Sequence, residues 1–279
     1  MRFSVLIALS LAIWFRPLIS SFALAYHNSE YTHILLIIPV SLTLIFLDWR
    51  TPQESARLGL ILGTLLMALA VTVAVGVQRG IVVLPDERLS LNMVALVLWW
   101  IGSFILCFGS SAFKGAVFPL CFLFWLVPLP QVMLDPIVRL LQEGSAASAD
   151  LIFTIAGVPV VREGTIITLP GLVVEVAREC SSIRSSLMLV VTTVVLAQML
   201  LRSPWRKALV IAVAIPLSVV KNGLRIFVLG MLGTRVDPSY LTGRLHHEGG
   251  IIYFLIALAA IFLCLWIVRH GDEKLLISR

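Results

Sequence analysis

Cys180 has the clearest chemical potential in the sequence, because it lies where a polar stretch leads into a long apolar segment. Arginine, glutamate and two serines flank it, and a helix is predicted to start just after it. Amides at a helix N-terminus and a nearby guanidinium stabilise the thiolate that performs nucleophilic attack. Arg184, four residues on, is a candidate partner for that thiolate or for a substrate carboxylate. The remaining cysteines lie in apolar segments, where a thiol usually behaves as a small hydrophobic side chain: Cys107, Cys121 and Cys264.

A second polar group, formed by Lys221, Asn222 and Arg225, interrupts another long apolar segment. The three residues share one face of a predicted helix. A cation near the centre of a bilayer costs roughly 2.5 to 3.5 kcal/mol on insertion scales, so such residues usually have a partner or a task. Two structural alternatives remain open: the side chains reach an interface, or they pair with an acid and hold helices together.

The third polar group is the segment Arg244-Leu-His-His-Glu-Gly-Gly250, just before the last apolar stretch. Histidine moves protons near neutral pH, so His246 or His247 could serve a thiol as general base or acid. Taken alone, the segment is equally typical of a solvated loop. It lacks the His-Glu-x-x-His spacing that places two ligands on one helix face, so the sequence predicts neither a metal site nor a cofactor.

The composition indicates what must position these groups. A hydrophobic fraction of 59%, a charged fraction of 13% and a mean hydropathy of +1.03 exclude a soluble domain. We predict an all-α polytopic membrane protein of about eight transmembrane helices, each needing about 20 residues to cross the bilayer. The predicted windows are residues 3–25, 32–48, 58–78, 90–109, 115–134, 183–201, 207–232 and 250–269. The first is interpreted as a retained helix rather than a signal peptide.

The distribution of positive charge predicts the orientation. With both termini in the cytoplasm, many basic residues of the short loops lie inside, among them Arg202, Arg206 and Lys207. This predicts a multi-pass protein of the inner (cytoplasmic) membrane, with Cys180 on the outer, periplasmic face. The net charge of +6 then anchors the protein against membrane lipids and does not indicate nucleic-acid binding.

The outward segment before Cys180 is long enough for structure of its own. From Asp135 to about Ile155, apolar and polar residues alternate as in a helix lying at the membrane interface. Two β-rich runs, 165–169 and 172–176, flank the Pro170-Gly171 turn and predict a small β-hairpin that leads to Cys180. Since no internal repeat is evident, residues 1–279 are predicted to form a single membrane domain.

In these residues the chain resembles the exosortase and archaeosortase family of membrane-embedded cysteine transpeptidases, over most of its length. The Cys180 block, Asn222-Gly-Leu-Arg225 and His246-His-Glu-Gly-Gly250 are similar to the family's three motifs, in the family's order. The resemblance implies Cys180 as nucleophile, Arg225 as the second catalytic residue and His246 as the third. His246 is preferred because it stands four residues before Gly250; His247, Arg184 and Asn222 are predicted as supporting residues. Ser182 stands where the family commonly has glycine.

The resemblance implies an enzyme, a cysteine protease or transpeptidase that cleaves the C-terminal sorting tails of exported proteins. Such PEP-CTERM-like tails contain a Pro-Glu-Pro-like motif, a membrane helix and a basic cluster. The acyl group would pass through a thioester to an envelope or extracellular acceptor. Implied partners are the tailed substrates, with polysaccharide biosynthesis machinery as a further candidate. Two alternatives stay open: a transporter whose anion path contains Lys221, Arg225 and Arg184, or a non-catalytic scaffold of envelope polysaccharide assembly.

Overall fold

The computed structural model describes residues 2–47, 57–81, 84–176, 183–237 and 250–277. Within them the backbone is almost entirely helical, apart from one small sheet and the turns between elements. The chain divides into two compact units, Met1–Leu134 and Asp135–Arg279. Each unit is described by itself below.

The first unit is built of helices. They are α1 (Arg2–Ile13), α2 (Phe15–His27), a 3-10 turn (Ser29–Tyr31), α3 (Ile34–Leu47), α4 (Arg57–Gln78), α5 (Pro85–Phe122) and a second 3-10 turn (Leu123–Leu126). α4 and α5 pack closely, because a Cβ on Gly63 would lie 2.9 Å from the Gly102 carbonyl oxygen. Two buried hydroxyls bond to backbone carbonyls: Ser41 Oγ donates to Pro119 O at 2.7 Å, and Ser90 Oγ donates to Pro128 O at 2.6 Å.

The described residues contain six helical segments long and apolar enough to span a membrane, or seven if the bent pair α1 and α2, which meet at 71°, forms one span. The predicted windows 90–109 and 115–134 fall largely in one stretch, Pro85–Leu126, which lowers the count from eight to seven, and the bend between α1 and α2 accounts for the count of six. That stretch is broken at Gly109, whose φ of 85° and ψ of 167° interrupt α5. The structure confirms a polytopic, mainly α-helical membrane protein.

The second unit combines helices with a small sheet. Its elements are most of α6 (Gln131–Ile155), the strands β1 (Val161–Glu163), β2 (Ile166–Leu169) and β3 (Leu172–Glu175), and the helices α7 (Ile183–Leu200), α8 (Pro204–Arg235) and α9 (Gly250–Ile277). The predicted helix from Asp135 to Ile155 is present as part of α6; its place at the membrane interface stays a prediction.

The sheet is antiparallel in the order β1-β2-β3. Leu169 pairs with Leu172 across the turn at Pro170-Gly171, where Gly171 has a φ of 79°, so the predicted hairpin is confirmed. β1 was not predicted; it adds to β2 through the pairs from Val161 with Thr168 to Glu163 with Ile166. The sequence signal for β1 is weak because the strand has three residues, all exposed.

Two apolar cores hold the second unit together. The first joins α7, α8 and α9 through Leu189, Ala197, Leu201, Val210, Ala214, Ala257, Ile261 and Leu265. The second joins α6, the sheet and α8 through Ala146, Ala149, Phe153, Ile167, Leu169, Val176 and Ile226. α8 contributes to both cores, so this helix links the sheet that precedes Cys180 with the helices that follow it.

Candidate functional site

The predicted site residues divide into those that the structure describes and those that it does not. Cys180, His246 and His247 lie outside the described residues, as does Ser182. Arg225, Asn222 and Arg184 lie within them. The geometry therefore concerns Arg225 and the described residues that flank the cysteine and histidine segments.

The chain is anchored four residues before Cys180, at Val176. The Val176 side chain is 1% exposed and belongs to the core that joins α6, the sheet and α8. Its N–H donates to the Thr165 carbonyl oxygen at 2.9 Å, and its own carbonyl oxygen accepts from Gln142 Nε2 at 2.8 Å. The sheet and α6 thus fix the point from which the cysteine segment departs.

The chain is anchored again three residues after Cys180, where α7 begins at the buried Ile183. In the first turn of α7, Ser185 Oγ accepts a hydrogen bond from Nζ of Lys221 on α8. Lys221 is 6% exposed, which does not fit a side chain that reaches an interface, and its Nζ donates to a hydroxyl rather than to an acid. The start of α7 is therefore joined to α8 at Lys221.

Arg225 lies on α8 one helical turn beyond Lys221, and its Nε atom is buried. Asn222, between them, is 1% exposed. Ile226, directly after Arg225, packs in the same core as Val176. Arg225 thus lies between Lys221, which bonds to the first turn of α7, and Ile226, which shares an apolar core with Val176.

The third element near Arg225 is the start of α9. The Tyr253 phenol and the Arg225 guanidinium interact electrostatically, and the Tyr253 side chain is half-buried. Tyr253 stands three residues after Gly250, the last residue of the predicted histidine block. The described end of that block therefore lies on the same side of the bundle as Arg225.

Close packing of α6 on α8 explains the glycine of the Asn222-Gly-Leu-Arg225 block. A Cβ on Gly223 would lie 2.6 Å from the Ser148 Cβ and 2.9 Å from the Ala149 N. Both distances are shorter than van der Waals contact allows, so a larger residue would force one of the helices to shift. One turn earlier on α8, Val219 Cγ1 lies 3.1 Å from where a Cβ on Gly144 would be. Small residues on α6 therefore set the position of the α8 segment that carries Arg225.

Arg184 differs from the other described site residues, because its side chain is exposed while Ile183, before it, and Ser186, two residues after it, are buried. The structure brings Asn222 and Arg225 together on α8 and leaves Arg184 on an outer face of α7. Ser185, Gln142 and Tyr253 were missed by the sequence reasoning. Serine, glutamine and tyrosine are common in helices, and only the register between helices places these three beside the site.

Within the described residues, no group of three or more His, Cys, Asp or Glu side chains could hold a metal ion. The cysteines in this part of the chain, Cys107, Cys121 and Cys264, are free thiols. The chemistry available near Arg225 in the described residues consists of fixed positive charge and hydrogen-bond donors, which suits stabilisation of an anion.

Fold and site together define a multi-pass helical membrane protein. Its second unit carries the cationic side chains of Lys221 and Arg225 well inside the helix α8. The sequence profile described as transmembrane exosortase matches residues 23–263, a range that includes Cys180, Arg225 and His246. The chain belongs to the transmembrane exosortase family. No curated protein and no solved structure matches it significantly.

Proposed function

We propose that this protein is a membrane-embedded cysteine transpeptidase that cleaves C-terminal sorting tails of exported proteins and transfers them to an acceptor. Family membership supports the class of enzyme. One observation carries the proposal: the flanks of the Cys180 segment are held near α8 around Arg225, since Val176 shares an apolar core with Ile226 and Ser185 bonds to Lys221.

Chain length strengthens the link between Cys180 and Arg225. A fully extended chain spans at most about 3.6 Å per residue, so the Cα atom of Cys180 lies within about 11 Å of that of Ile183. Ile183 is two residues from Ser185, whose hydroxyl bonds to Lys221 one turn from Arg225. This bound ties Cys180 to the start of α7, and the approach of its thiol to the Arg225 guanidinium belongs to the proposal.

The proposed reaction uses the three predicted catalytic residues, Cys180, Arg225 and His246. The Cys180 thiolate attacks the carbonyl carbon of the scissile peptide bond, and the Arg225 guanidinium stabilises the oxyanion that forms. His246 gives a proton to the leaving amine as the C–N bond breaks, which leaves a thioester on Cys180. An acceptor nucleophile then attacks the thioester, loses its proton to His246 and restores the thiolate. Arg225 stays protonated throughout, so its contribution is electrostatic.

The proposed orientation puts this chemistry on the outer face of the inner membrane, with both termini in the cytoplasm. Arg206 and Lys207 at the start of α8 and Arg269 near the end of α9 cluster at the end of the bundle away from Arg225. Positive residues in short loops resist translocation, which supports a cytoplasmic position for that end. A fluorescent protein fused to the C-terminus should then fluoresce in cells, while an alkaline phosphatase fusion there should be inactive.

The central test uses a reporter protein that ends in a Pro-Glu-Pro motif, an apolar helix and a basic cluster, co-expressed with the enzyme. Cys180→Ala, Arg225→Ala and His246→Ala should each abolish tail processing at normal membrane levels. Cys264→Ala and His270→Ala are matched controls, since each removes the same residue type from α9 outside the proposed site, and both should process the reporter normally.

Chemical trapping separates the proposal from its rivals. Hydroxylamine added during turnover should release the processed reporter as a hydroxamate from wild type and not from Cys180→Ser, because the intermediate is a thioester. A transporter or a scaffold predicts a nearly normal Cys180→Ser protein. Wild-type processing by Cys180→Ser would overturn the proposed function.

A further inference from the structure

We infer that Lys221 is a positioning residue for the cysteine nucleophile, which it serves by holding the first turn of α7 against α8 through Ser185. The inference rests on the proposed function, since it concerns the placement of Cys180 beside Arg225. It assigns a task to a buried cation that the proposed reaction does not use.

The first observation is the depth of Lys221 in the molecule. It lies well inside the 32-residue helix α8, it is 6% exposed, and Nζ donates to Ser185 Oγ. A buried cation in a membrane helix carries a cost of a few kcal/mol on insertion scales. A neutral hydroxyl offsets that cost less than a carboxylate would. Stability alone therefore does not explain a lysine here, and a methionine would fill a similar volume.

The second observation is what the bond joins. Ser185 is five residues after Cys180 and in the first turn of α7, and Lys221 is one turn before Arg225. The bond thus connects the helix that continues the nucleophile segment with the helix that carries the oxyanion-stabilising arginine. Misplacement of a catalytic group by 1 Å can lower a rate by about 100-fold.

The third observation is a second lysine that joins the same two helices. Nζ of Lys207, at the start of α8, donates to Gln198 Oε1 near the end of α7 at 2.7 Å. α7 is therefore joined to α8 near both of its ends by a lysine of α8. Lys207 is the matched control for Lys221, because it has the same residue type, the same helix pair and a polar acceptor on α7, but lies far from Arg225.

The test compares Lys221→Met, Ser185→Ala, the double variant and Lys207→Met with the reporter carrying the Pro-Glu-Pro tail. Lys221→Met and Ser185→Ala should each lower kcat by about 10- to 100-fold with little change in KM, because attack geometry is lost while binding is kept. The double variant should lose no more than Lys221→Met alone, since both changes remove one interaction. Lys207→Met should retain the wild-type kcat, and Lys221→Arg should recover part of the loss.

A second readout does not depend on peptide cleavage. With Cys107, Cys121 and Cys264 replaced by alanine, the rate of Cys180 alkylation by iodoacetamide should change to the same extent in Lys221→Met and Ser185→Ala, and should stay unchanged in Lys207→Met. This result would support the positioning role even if Cys180→Ala still processed the reporter and the proposed function failed. One outcome would overturn the inference: Ser185→Ala keeps the wild-type kcat and alkylation rate, while Lys221→Met lowers kcat. Lys221 would then act without Ser185. Wild-type behaviour of Lys221→Met in both assays would also overturn it.

Discussion

The two ends of the bundle formed by α7, α8 and α9 use the same pair of residue types. At the distal end, Arg206 Nη1 donates to the Val268 carbonyl oxygen of α9 at 2.9 Å, and Lys207 donates to Gln198 of α7. At the site end, Arg225 interacts with Tyr253 of α9, and Lys221 donates to Ser185 of α7. At each end a lysine of α8 thus bonds to α7, and an arginine of α8 lies near a residue of α9.

The ends differ in depth. Arg206 and Lys207 lie in the first turn of α8 and are half-exposed, so their long side chains can keep the charge near water. Lys221 is buried, and Arg225, which is exposed to the same intermediate degree as Arg206, lies well inside the same helix. The same residue types can anchor a helix cheaply at its end, but inside the bundle they cost free energy of insertion. Position along the helix, rather than residue type, therefore distinguishes the anchoring residues Arg206 and Lys207 from the candidate site residues Lys221 and Arg225.

The largest effect expected from this comparison is on catalysis. Arg225→Lys should lower the rate of tail processing by about 100-fold or more, because one ammonium group replaces the planar guanidinium at a developing oxyanion. Arg206→Lys should process the reporter at close to the wild-type rate. The measurement is a time course of reporter cleavage at matched membrane levels. Equal losses in the two variants would remove the distinction between the ends.

Much of this arrangement could be predicted from local sequence signals. Long apolar windows predict spans, and Pro170-Gly171 between β-rich runs predicts the hairpin, because each signal lies within a few neighbouring residues. The predicted windows 90–109 and 115–134 divide where Gly109 interrupts α5. The direct continuation of the helix beyond Gly109 was not predicted, since a window boundary does not show whether a loop or a kink separates two spans. Two predicted spans therefore became one interrupted stretch.

In the candidate site, local sequence signals predict less of the arrangement. The sequence identifies Arg225 and Asn222 by their polarity inside an apolar segment, and the structure shows both inside α8. The Lys221–Ser185 bond joins residues 36 positions apart in sequence and depends on the register between α7 and α8, which no local pattern encodes. The roles of Cys180, His246 and Arg225 stay predictions that the processing assay tests.

A smaller effect is expected on stability, from the packing of α8 at its site end. Gly223→Ala should destabilise the protein by about 1 to 3 kcal/mol, because the new methyl group overlaps Ser148 and Ala149 of α6. Gly76→Ala on α4 is the matched control: its Cβ would meet only Ile81 Cδ1, at an ordinary 3.7 Å. There the higher helix propensity of alanine should raise stability by up to about 1 kcal/mol. Thermal unfolding in detergent should therefore shift in opposite directions, and a rise in both variants would show that α6 does not constrain the site end.

The smallest effect separates the two lysines by stability rather than by rate. Lys207→Met should lower the free energy of unfolding by up to about 1 kcal/mol, because it removes a hydrogen bond made by a half-exposed group that loses little hydration on folding. Lys221→Met should leave the unfolding temperature unchanged or raise it, since removal of a buried cation also removes its desolvation cost. A positioning bond is expected to behave in this way: its favourable energy is largely cancelled by burial, and what it contributes is a fixed geometry. If Lys221→Met unfolds at a much lower temperature than Lys207→Met, then Lys221 supports the fold itself, and the loss of processing in that variant would follow from instability rather than from misplacement of Cys180.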